Sequence, residues 1–249
     1  MKKAFCLITA LLLLLCGCSR NQPANQVQTE GEFIKLENGK LLSSSGEEYG
    51  WVAPEGYLVP LGETVFQTGV KGEEKTSYHL GLPYQTGLFS IHNDDTYNIL
   101  IRHEPNNEFC SIYRKTSLPP VDFSVDNCIR LELVLGGGYP ADNSVHKSCG
   151  GGISDQTEIA AFLSDVRSQK DPREAGLYDL IRKPDGSLEN CYGYGTVYGF
   201  FEEEPTLAFC MEILSYNDLA YSISVDGRSY VLPEAWLRQL QDSCCQGEG

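Results

Sequence analysis

The residues best equipped for chemistry lie between Gly136 and Gly152, in the run GGGYPADNSVHKSCGGG. His146 and Cys149 stand three positions apart, and Gly150 to Gly152 carry no side chains to keep a substrate or a second backbone away. A thiolate beside an imidazole and several amide N–H groups is the set that cysteine-dependent acyl hydrolysis uses. The same two residues with Cys191 as a third ligand would make part of a zinc site, and Cys128, Cys149 and Cys191 would make a structural grouping. Catalysis also needs an orienting third group in a fixed geometry, and a single H-x-x-C has none of the repeated spacing of paired C-x-x-C motifs. The expectation is therefore a connecting loop, with no catalytic residue, cofactor or metal assigned. A hydrolase using Cys149 and His146 is the alternative.

A second candidate is aromatic. Tyr192, Tyr194 and Tyr198, with Phe200 and Phe201, are interleaved with Gly193, Gly195 and Gly199 at strand spacing. Flat rings on one strand face would stack on sugars and make a glycan-binding module, whereas the same spacing also suits core and sheet surface. His79, His92 and His103 are scattered through strand-like sequence and are expected on turns or strand faces. There is no G-x-S-x-G, P-loop, G-x-G-x-x-G after a strand, or H-E-x-x-H.

The elements that would carry these residues fall into two blocks, giving an α+β fold. From residue 31 to 120, turn residues recur at short intervals between β-branched and aromatic runs, which predicts a small antiparallel β domain. Ser117-Leu118-Pro119-Pro120 is the expected boundary, and residues 121–243 read as an α+β domain with an antiparallel sheet and two helices. In its first strand Ile129, Leu131, Leu133 and Leu135 are expected to face a core. Asp155 to Gln169 reads as a capped helix with Ile159, Phe162, Leu163 and Val166 on one face. Strands over Gly195 to Phe201 and Thr206 to Leu214 follow, the second with Leu207, Phe209, Met211 and Ile213 on one face, then a hairpin turning on Asp226-Gly227. A last helix runs from Pro233 to about Gln241, presenting Trp236, Leu237 and Leu240, and residues 244–249 read as a polar tail.

Residues 1–17 have another character. Lys2 and Lys3 precede a short apolar run from Ala4 to Leu15, too short for the roughly 20 residues of a spanning helix. The run closes on Leu15-Cys16-Gly17-Cys18. This resembles the lipobox of bacterial lipoproteins, with Cys16 at a position where that family more often has Ala or Ser. The resemblance implies cleavage after Gly17, lipid on Cys18, a flexible tether over residues 18–30, and attachment to the outer face of a bacterial cell membrane.

Composition bounds the remainder. The 249-residue chain is 41% hydrophobic, as a globular protein is, and carries a formal charge of −15. Without Lys2 and Lys3 it would hold 17 basic against 34 acidic side chains, a formal −17. Such a balance opposes binding to nucleic acid and leaves lipid, not charge, to hold it at a membrane. Of the ten cysteines, Cys6 and Cys16 would leave with the leader and Cys18 would take lipid. Cys110, Cys128, Cys149, Cys191, Cys210, Cys244 and Cys245 then remain, an odd number, with Cys110 and Cys210 expected as buried apolar residues. The sequence thus points to a lipid-anchored, non-enzymatic binding or interaction module, its partner a protein or a glycan.

Overall fold

In a computed structural model, the described residues are 33–52, 57–71, 76–79, 82–92, 96–102, 111–135 and 152–245. His146, Cys149, Cys110, His103 and the lipobox with Cys18 lie outside them. The strands are β1 (Ile34–Lys35), β2 (Leu41–Leu42), β3 (Glu48–Val52), β4 (Tyr57–Pro60), β5 (Thr64–Thr68), β6 (Thr76–His79), β7 (Leu82–Gln85), β8 (Leu88–Ile91), β9 (Ile99–Arg102) and β10 (Ser111–Lys115). Beyond residue 120 come β11 (Arg130–Leu135), β12 (Gly152–Ile153), β13 (Cys191–Phe200), β14 (Leu207–Tyr216), β15 (Ala220–Val225) and β16 (Arg228–Val231). Two α-helices, α1 (Gln156–Ser168) and α2 (Glu234–Cys245), complete a mainly antiparallel β-structure.

One sheet runs β1-β2-β3-β10-β9-β8-β5, a second runs β12-β11-β13-β14-β15-β16, and β6 pairs β7. The second sheet also takes a strand from the N-terminal block. β4 pairs antiparallel with β14, setting Tyr57 opposite Cys210 and Pro60 opposite Leu207. The largest core cluster likewise joins Leu58, Ile99, Ile101 and Ile112 to Leu131, Phe209 and Met211, so the segments on either side of Ser117–Pro120 share one core.

Local signals explain the helices. Asp155 caps α1 by accepting hydrogen bonds from the N–H groups of Thr157 and Glu158. Ile159, Phe162, Leu163 and Val166, at helical spacing, are all buried. Leu237 and Leu240 of α2 are buried, and Trp236 packs edge-on against Phe162 while its indole N–H donates to Asp165. α2 continues through Cys245, past the end expected near Gln241. Asp226 and Gly227 have φ of 52° and 70°, the left-handed values that a type I′ hairpin requires.

The first strand beyond residue 120 departs from simple alternation. Leu131 and Leu133 enter the core as expected, but Ile129 is 41% and Leu135 45% exposed. Ile129 precedes the strand and Leu135 ends it, whereas Val134 is buried on the opposite sheet face with Tyr198 and Cys210. Alternation specifies a face only where the strand has covering layers.

Arg167, in the last turn of α1, fastens the helix to two neighbours. Its guanidinium donates to Asp126 at 2.7 Å and to the hairpin carboxylate Asp226 at 2.6 Å. The Arg167 hydrogen bond holds the Asp126 carboxyl below its ordinary value of 3.8. A lowered folded pKa means stability present above the unfolded value and lost as pH falls through the folded one. Asp126→Asn should therefore cost below about 1 kcal/mol at neutral pH, because the pair is solvent-exposed. Urea unfolding should show that gap closing in acid below the ordinary carboxylate value; a pH-independent gap would contradict this account.

Candidate functional site

A groove of about 780 Å³ opens where the first sheet meets the chain between Leu118 and Ser124. Gly50, Trp51 and Val52 of β3 and Arg114 and Lys115 of β10 line one side, with Thr116 beyond them. Register places Tyr113 opposite Trp51 and Arg114 opposite Gly50. Neighbouring residues here point to opposite sheet faces: Tyr49 and Tyr113 enter one core cluster, while Ile112 and Val52 pack against the other. Trp51, paired with Tyr113, falls on the face of Tyr49 and Tyr113 and is 61% exposed.

The facing wall is fixed by its own bonds. Asp122 accepts from the Ser124 N–H at 3.0 Å, and Ser124 caps the short helical turn Val125–Asn127 by accepting from the Asp126 N–H. Phe123 is buried edge-on against Phe201, with ring centres 5.3 Å apart. Arg114 joins the two sides. Its Nη1 donates to the Pro119 carbonyl at 2.6 Å, and its Nε meets Glu204 Oε2 at 3.3 Å. Glu204 is buried and also accepts from the Thr206 hydroxyl at 2.6 Å. Lys115 pairs with Glu47 at 2.9 Å. Both cations on the groove are thus neutralised by the protein itself.

The expected aromatic patch is divided by a β-bulge. Gly193 stands opposite Leu214 and Gly195 opposite Ile213, leaving Tyr194 as the extra residue. Side-chain parity therefore changes between Tyr192 and Tyr198. Tyr194 packs on the helix-covered core against Tyr221, ring centres 4.9 Å apart, and Gln241 donates to its hydroxyl. Tyr192 is exposed and donates to Asp218, a bond that raises its phenol pKa. Tyr198 is buried on the opposite face beside Val59, Val134 and Cys210, where burial pushes its phenol up to about 12. The three tyrosines make no common platform. Two of the interleaved glycines serve packing: a Cβ at Gly195 would lie 2.6 Å from the Val134 carbonyl oxygen, and one at Gly199 would lie 2.5 Å from Cys128 Sγ.

That contact also separates the cysteines. Cys128 sits against Gly199, whereas Cys191 opens the same strand eight residues earlier, roughly 25 Å away at strand rise. A disulfide needs Cα atoms within about 7 Å and zinc needs both sulfurs within about 2.3 Å of the metal, so Cys128 and Cys191 form no grouping. Among the described residues, no three His, Cys, Asp or Glu side chains are placed to hold a metal ion. Cys210 is buried as expected. His92 is exposed, and His79 lies in β6.

Comparison with protein-family models, curated proteins and solved structures returned no match. The groove was not legible in the sequence because β3, which lines it, lies about sixty residues before β10 and the Leu118–Ser124 wall. The local signal nearest to it is the Pro119-Pro120 pair at the start of the wall.

Two outcomes follow. Burial pushes the Cys128 and Cys210 thiols up to about 12, so at mildly alkaline pH a maleimide should label exposed Cys191 well before either, as read by peptide mass spectrometry. Arg114→Leu strands buried Glu204 without its cation and should cost about 2–4 kcal/mol in urea unfolding. Adding Glu204→Gln should recover part of that loss; no recovery would show that the pair is not the source.

Proposed function

We propose that this protein is a non-enzymatic binding module of the bacterial cell envelope, anchored by lipid on Cys18, with the groove beside Trp51 as its ligand site. The observation that carries the binding role is an open groove of about 780 Å³ whose wall is already ordered by its own hydrogen bonds, since preorganisation limits the entropy lost on binding. The leader and lipobox support the address, and the acidic remainder of the chain supports lipid over charge as the means of attachment. In this reading the finer architecture is a β-rich N-terminal part followed by an α+β part. Both α-helices of the described residues lie beyond residue 120, and β4 fastens the two parts.

The aromatic surface around Tyr192 supports a second binding site less well, because the bulge disperses its rings. The hydrolase alternative rests on Cys149 and His146 alone.

The anchor is tested with Cys18→Ala, which should leave thermal unfolding unchanged and shift the protein from the membrane pellet to the soluble or precursor fraction. Unaltered membrane retention would refute the anchor. The groove is tested with Thr116→Cys in the full chain, labelled with maleimide and read by mass spectrometry against exposed Cys191 as internal control. A carbohydrate-containing envelope extract from cells that make the protein should slow labelling at position 116 and not at Cys191. Equal labelling with and without extract would refute the groove as the ligand site.

A further inference from the structure

We draw no further inference here: the strongest candidate, the surface patch that exposed Trp51 makes beside Tyr113 on the Tyr49 face of the first sheet, carries nothing, because nothing in the structure shows what covers it.

Discussion

Burial of β14 on both faces is the constraint on which the other elements depend. Leu207, Phe209, Met211 and Ile213 enter the helix-covered core, while Ala208, Cys210, Leu214 and Tyr216 pack on the reverse side. A strand without a solvated face needs partners along its edges as well as layers above and below. β13 pairs with it from Cys191 to Phe200, and the opposite edge is shared by β15 and, from far upstream, β4. Recruiting β4 draws the N-terminal sheet against the C-terminal one, so a backbone requirement of one strand becomes the reason for a common core.

Where the two sheets meet, polar groups must also be satisfied, and Arg114 does this for two partners at once. It reaches buried Glu204 from β10 and holds the Pro119 carbonyl at the start of the groove wall. The same contacts that remove two charges from solvent tie β10 to the Pro119 carbonyl, where the groove wall begins. Groove wall and interlayer junction are thus built from one set of interactions, so the groove is arranged by folding itself.

The bulge at Tyr194 shows how one residue can redirect a surface. A strict two-residue period would set Tyr192, Tyr194 and Tyr198 on one face; the unpaired residue reverses parity partway along β13, sending Tyr198 into the layer against β4 and leaving Tyr192 in solvent. Gly195 and Gly199 among them answer to a neighbouring strand and to Cys128. Cys128 and Cys210 likewise act as small apolar residues, their thiols kept protonated by burial.

What the sequence determined by itself is what depends on neighbours within a few residues. The Asp155 cap, the buried stripe of α1, the packing face of Trp236, Leu237 and Leu240, the Asp226-Gly227 hairpin and the inward set of Leu207, Phe209, Met211 and Ile213 were all readable from spacing and turn chemistry. The tertiary structure alone decided the exposure of Ile129 and Leu135, the second buried face of β14, the pairing of β4 across residue 120, and the meeting of Gly50 and Arg114 with the Leu118–Ser124 wall. Those features arise from contacts between segments tens to more than a hundred residues apart, where burial and edge pairing choose among partners that local periodicity leaves equivalent.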